Sequence, residues 1–166
     1  MIRVLLADDH SIVREGLRRV LEDSNEIEVI AEAADGETAL DEAINKKPDV
    51  AVIDISMPGM DGFEVCKKLK ADPKTKDVPV VFPTGRSDTE HLVKGFELGA
   101  VDYITKPFNN AELLHRINTH LELSHLRKNL ERQVSEQTNE ILAANSEMEK
   151  SNRVYSSFVP REFLTQ

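Results

Sequence analysis

Residues 50–62 read Val50-Ala51-Val52-Ile53-Asp54-Ile55-Ser56-Met57-Pro58-Gly59-Met60-Asp61-Gly62. An unbroken apolar run enters an acid, Pro58 and Gly59 follow, and a helical pattern then opens with Phe63, Val65, Cys66 and Leu69. A strand that is apolar without alternation is buried on both faces, the condition of a parallel sheet covered by helices. Val80-Val81-Phe82 repeats the signal. Outward from these, Val4 to Ala7, Val29 to Ala31 and Val101 to Ile104 complete a set of expected strands. Apolar residues at helical spacing separate them: Ile12, Val13, Leu17, Val20 and Leu21; Ala39, Leu40 and Ala43; Leu92, Val93, Phe96 and Leu98. A further helix is expected to open at Asn109, with Glu112 at capping-box spacing. Strands alternating with helices in this way predict an α/β fold built on a doubly wound parallel sheet.

The chain of 166 residues has room for one ordinary domain and an appendage. A net charge of −9, with no run of Lys and Arg, argues against a nucleic-acid-binding surface. The opening residues are interrupted by acids too soon for a signal peptide, and no apolar stretch reaches the length of a membrane span. The single cysteine, Cys66, excludes an intramolecular disulfide, and its place in a helical pattern predicts a packed thiol. A cytoplasmic protein is expected.

In a doubly wound sheet, ligands bind beyond the carboxyl ends of the strands. Asp8 and Asp9 fall there after the first strand and Asp54 after the third. Three convergent carboxylates raise one another's pKa unless a cation neutralises them. Oxygen donors in a phosphate-handling site suit Mg²⁺. Lys106-Pro107 ends the fifth strand, where the ammonium can pair with a phosphoryl oxygen. Thr84 ends the fourth and offers a hydroxyl beside Gly85. Singly each element is ordinary: an Asp pair caps a helix, Lys-Pro makes a turn, Thr84 is a loop hydroxyl, and Asp54 initiates a turn before Pro58. Together they are equipment for phosphoryl transfer.

Asp8-Asp9, the stretch from Asp54 to Gly62, Thr84-Gly85 and the stretch from Gly99 to Phe108 resemble the receiver domains of two-component response regulators. The resemblance runs from residue 2 to about residue 121. It implies a flavodoxin-like (βα)5 fold with strand order 2-1-3-4-5. It implies Asp54 as phosphoacceptor from a phosphohistidine on a sensor histidine kinase or a phosphotransfer protein. Asp9 would bind Mg²⁺ directly, Asp8 largely through water, and the Ser56 backbone carbonyl would complete the protein ligands. Lys106 would hold the phosphoryl group, with Thr84 and Tyr103 as the switch pair; the bland reading of Tyr103 is a core aromatic beside Ile104. Two departures stand out. Pro83 removes a backbone donor from the end of an internal strand, with an expected effect on how far Thr84 moves. Gly85 replaces the more usual alanine and should leave the phosphoryl group accessible. The opening resembles that of LuxR-type regulators, without their DNA-binding output.

After about residue 121 the composition changes. Gly is absent after Gly99, and no Pro occurs between Pro107 and Pro160. Val134, Ile141, Met148 and Tyr155, with Gln137, Ala144 and Ser151 between them, follow a heptad rhythm, while Leu126, Leu130 and Val134 read as a stutter. A helix from Ala111 to Ser157 would be roughly 70 Å long at about 1.5 Å per residue. Three segments are expected: a receiver at 1–121, a helical coiled-coil linker at 122–158, and the start of an output segment or tail at 159–166. Ser157 to Leu164 resembles the segment preceding class III nucleotide cyclase domains. The expected assembly is a homodimer through the coil and the family's fourth-helix, fifth-strand, fifth-helix face; the alternative, from the weak seam residues Gln137, Ala144 and Ser151, is a single solvated helix or a frayed tail. The expected role is a regulatory phosphoacceptor rather than an enzyme. An aspartyl-phosphate phosphatase is disfavoured because Ser56 stands where that class places a second acid. A degenerate scaffold is disfavoured by the intact Asp8, Asp9, Asp54, Thr84 and Lys106.

Overall fold

The computed structural model describes residues 1–85, 89–100, 102–106 and 109–158. Five strands, β1 (Ile2–Ala7), β2 (Ile27–Ala33), β3 (Val50–Ile53), β4 (Val80–Thr84) and β5 (Asp102–Thr105), alternate with α1 (Ser11–Glu22), α2 (Gly36–Lys46), α3 (Gly62–Ala71), α4 (Thr89–Glu97) and α5 (Asn110–Phe158). The strands form one parallel sheet in the order β2-β1-β3-β4-β5, the expected flavodoxin-like topology.

The unbroken apolar runs have the expected cause. Along β1, Val4 and Leu6 face a layer with Leu17 and Leu21 of α1 and Leu113 and Ile117 of α5. Leu5 and Ala7 face the opposite layer, with Ala39 and Ala43 of α2 and Phe63, Cys66 and Leu69 of α3. β3 divides in the same way, Val50 and Val52 from Ala51 and Ile53. Full burial of each large aliphatic side chain contributes about 1.5–3 kcal/mol, which makes this two-sided core the main stabilising term. Cys66 is buried within it, and burial pushes its thiol up, as suits a packed rather than a reactive group.

Several boundaries differ from expectation. β2 is longer on both sides, whereas β4 ends at Thr84 as expected, with Pro83 inside it. The Asn109–Glu112 capping box does not form. Asn109 Oδ1 accepts from the Ala111 N–H at 2.9 Å, and Glu112 instead takes the Arg116 guanidinium at 3.0 Å. The capping box that does form belongs to α3, between Asp61 and Glu64. As the lack of Gly and Pro there predicts, the fifth helix and the expected linker are one helix. The chain divides into two compact units, Met1–Ser124 and His125–Gln166. Val101, Pro107, Phe108, the Leu92 side chain and the segment 159–166 lie outside the described residues.

Candidate functional site

Asp8 leaves the end of β1 with its side chain fully buried. Its N–H donates to the Ala33 carbonyl at 3.1 Å, and the Arg14 guanidinium donates to its own carbonyl at 2.6 Å. Asp8 Oδ1 accepts from the His10 N–H at 2.8 Å. Asp8 Oδ2 is buried and has no hydrogen-bond partner among the described residues; the nearest cation, Lys106 Nζ, is 3.6 Å away. A buried carboxylate oxygen left in that state is costly unless something else neutralises it.

Asp54 follows β3, where its N–H donates to the Ala7 carbonyl at 2.7 Å. Its Oδ1 lies 3.0 Å from Lys106 Nζ, and its Oδ2 accepts from the Ser56 N–H at 3.2 Å. Burial raises the Asp54 carboxyl above the usual carboxylate range; Lys106 opposes this and the Asp8 charge adds to it. Lys106 is tied to Thr84 by its own N–H, which donates to the Thr84 carbonyl at 2.7 Å. Asp54, Ser56, Pro83, Thr84, Gly85, Lys106 and His10 line one cleft of about 240 Å³.

The turn that carries Asp54 depends on glycines. Gly59 sits at φ +75°, a left-handed conformation that L side chains rarely adopt. At Gly62 a Cβ would overlap the Asp54 carbonyl and the Ile55 Cα, so the start of α3 can press against the acceptor's backbone only without a side chain.

Of the residues expected here, Asp8, Asp54 and Lys106 meet directly. Ser56 meets Asp54 through its N–H, and Thr84 lies buried in the cleft wall. Asp9 stands beside them with Oδ1 2.9 Å from His10 Nδ1. Tyr103 is outside the cleft: it is buried between Phe82 and Phe96, with its hydroxyl against Gly95. His10 escaped the sequence reading, although it directly follows the Asp pair. Its ring nitrogen and the two carboxylates lie within 4.8 Å of one another. Gly95 was also missed; the available signal was a glycine inside a helical pattern, a position where Gly weakens a helix and therefore needs a packing reason. A Cβ at Gly95 would collide with the Tyr103 hydroxyl.

The family model for the response regulator receiver domain matches residues 4–118. Response regulator PleD of Caulobacter vibrioides is 40% identical over 119 residues, covering 70% of this chain and 25% of that protein. Response regulator MprA of a Mycobacterium species is 41% identical over 117 residues, 70% of this chain and 49% of that protein. The chain thus matches a quarter to a half of the length of these relatives. The REC domain of AraT, a response regulator from Geobacillus stearothermophilus, superposes with a TM-score of 0.68 at 32% identity, covering 76% of this chain and 98% of that one. The signal receiver domain of a modulated diguanylate cyclase from Desulfovibrio desulfuricans does so at 0.68 and 28% identity, covering 75% and 97%.

Proposed function

The chain belongs to the response regulator receiver domain family of two-component signalling, and from that premise we propose that Asp54 accepts a phosphoryl group from a histidine kinase or phosphotransfer protein. The observation that carries this is the pairing of the buried Asp54 carboxylate with Lys106, 3.0 Å apart, in a cleft beside Asp8 Oδ2, which has no hydrogen bond among the described residues. One Asp54 oxygen forms the new P–O bond as the P–N bond to phosphohistidine breaks. Lys106 then transfers its pairing from the carboxylate to a phosphoryl oxygen, a charge-assisted contact. Thr84 offers its hydroxyl to another, and the Ser56 N–H steadies the acyl group.

The donor set fits Mg²⁺. Asp8 Oδ2 has no hydrogen-bond partner among the described residues, and the hard carboxylates of Asp8, Asp9 and Asp54 match that ion, with the Ser56 carbonyl as a further oxygen. His10 is a poor ligand for it, so its place is beside the oxygen set rather than within it. When bound, the ion would neutralise charge on the acids and the incoming phosphoryl group.

The switch we assign couples Thr84 to Tyr103 and from there to a homodimer, formed through α4, β5 and α5, whose later part is the coil. Val93 and Phe96 of α4, 57% and 52% exposed, supply apolar surface for that face. The output we assign to the whole protein is a nucleotide-cyclising enzyme. Residues 157–164 resemble the segment preceding class III nucleotide cyclase domains, and one structurally similar receiver comes from a modulated diguanylate cyclase, an enzyme of a different class that also closes a cyclic nucleotide.

Intact mass tests the acceptor. With a small phosphodonor and Mg²⁺ the mass should rise by one phosphoryl group, and Asp54→Asn or chelation of the cation should abolish the rise. Undiminished labelling of the variant sinks the assignment.

A further inference from the structure

β4 is an internal strand, yet it contains a buried proline. Proline cannot donate to a ladder and is ordinarily confined to edges, strand starts and bulges. Which neighbour loses the bond follows from the strand itself. In a parallel strand the N–H and C=O of one residue point to the same side, and those of the next residue point to the other. The Ala51 N–H of β3 donates to the Pro79 carbonyl at 2.9 Å, so residues 79, 81 and 83 face β3. The Lys106 N–H donates to the Thr84 carbonyl at 2.7 Å, so residues 82 and 84 face β5. Pro83 therefore withholds its bond from β3, at the level of Ile53. The register agrees: β3 and β4 pair last at Val52 and Val81, whereas β4 and β5 stay paired to Thr84 and Thr105.

The site is thereby divided. Asp54 is held to the β1 side by its N–H on the Ala7 carbonyl at 2.7 Å, and Asp8 lies on that side too. Thr84 and Lys106 are held to each other on the β4–β5 side. The Lys106 ammonium crosses between them, 3.0 Å from Asp54 and 3.6 Å from Asp8.

We propose that Pro83 is a positioning residue: by releasing the end of β4 from β3 it lets Thr84 and Lys106 shift together when a phosphoryl group is placed on Asp54. This rests on the phosphoacceptor reading above. The side chains answer a phosphoryl group as one body because their backbones are bonded to each other and not to the acceptor's strand. A residue with an N–H at this position would latch β4 to Ile53 and oppose the shift.

The test uses the full chain, its Pro83→Val variant and, should that variant not fold, Pro83→Ala. Each is treated with acetyl phosphate and Mg²⁺, labelling is measured by intact mass, and amide resonances are followed. In the parent, the Thr84, Thr105 and Lys106 amides should move together. In the variant, at equal labelling, their displacement should fall to less than half. Before labelling, the new residue-83 amide should exchange about tenfold more slowly than the Gly85 amide, as expected of a ladder bond. An unprotected residue-83 amide, or undiminished displacement at equal labelling, overturns the proposal. Absence of labelling in the parent overturns the phosphoacceptor reading and this coupling with it, whereas labelling of both proteins with full displacement in the variant, or with amides that do not move together in the parent, overturns the coupling alone.

Discussion

Burial raises the Asp54 carboxyl, Lys106 pulls it back, and the Asp8 charge pushes it up again, with a net rise from the ordinary value of 3.8. The folded chain therefore keeps this proton at a pH where the unfolded chain has released it. Stability then falls as pH rises from about 3.8 through the raised folded value, and ionised Asp54 destabilises the fold at neutral pH. Without divalent cation, Asp54→Asn should have a higher urea midpoint than the parent at neutral pH, the gap closing on acidification below 3.8. An unchanged gap across that range would remove the acceptor carboxylate as its cause. Gly62 makes a second case, since its missing Cβ lets α3 approach the Asp54 backbone. Gly62→Ala should cost about 1–3 kcal/mol, as overpacking of a close contact does, read from the urea midpoint at unchanged slope. Asp54 and Thr84 were legible in the sequence because each closes an apolar run, and Lys106 because it follows the fifth expected strand; strand ends are where such a sheet gathers its ligands. His10 and Gly95 were not, because what each does depends on a neighbour's side-chain direction: His10 on Asp9, Gly95 on the Tyr103 hydroxyl.

At the scale of elements, α5 is fastened to β5 by Asp102. Burial would raise this carboxyl, but hydrogen bonds from His120, Arg116 and the Tyr103 N–H outweigh it and hold it below the ordinary 3.8. Arg116 Nη1 lies 2.8 Å from Asp102 Oδ2 and His120 Nε2 2.9 Å from the same oxygen. A depressed carboxylate stabilises the fold above its unfolded pKa and loses that contribution as pH falls through its folded one. Asp102→Asn should therefore cost about 1–2 kcal/mol near neutrality, at the low end for charged hydrogen bonds because solvent screens the 37%-exposed Arg116. Below 3.8 the variant and parent should converge in chemical denaturation. The periodicity of α1 to α3 and the unbroken runs of β1, β3 and β4 were readable because burial on both faces writes itself into composition. That Pro83 and Thr84 close an internal strand was readable as well; that only the β3 side of the ladder is lost there, while pairing to β5 persists through Thr84, was not. The misplaced capping box at Asn109 has a similar origin. Spacing alone cannot show that Arg116 claims Glu112.

At the scale of the whole molecule, the unit Met1–Ser124 has its own two-layered core, while the described part of the other unit is helix alone. Leu126, Leu130, Val134, Ile141, Met148 and Tyr155 are each more than half exposed. Ion pairs such as Arg132 with Glu136, 3.3 Å apart, stabilise an isolated helix by only about 0.2–0.5 kcal/mol each. The larger available term is burial of the apolar residues against a second copy, and the seven-residue spacing of Val134, Ile141, Met148 and Tyr155 predicts the seam. Two adjacent residues separate this from general stickiness. Ile141 and Leu142 are equally apolar and each 60% exposed, but only Ile141 lies on the seven-residue stripe. In sedimentation at tens of micromolar, the full chain should dimerise and a chain ending at Ser124 should do so at least about tenfold more weakly, a difference of about 1.4 kcal/mol. Ile141→Glu should weaken the dimer to a similar extent by placing like charges across the seam, while Leu142→Glu leaves it intact. Equal loss in both variants would mean that the apolar residues associate without register. A monomeric full chain, or equal dimerisation with and without the tail, would mean that the helix serves some purpose other than pairing.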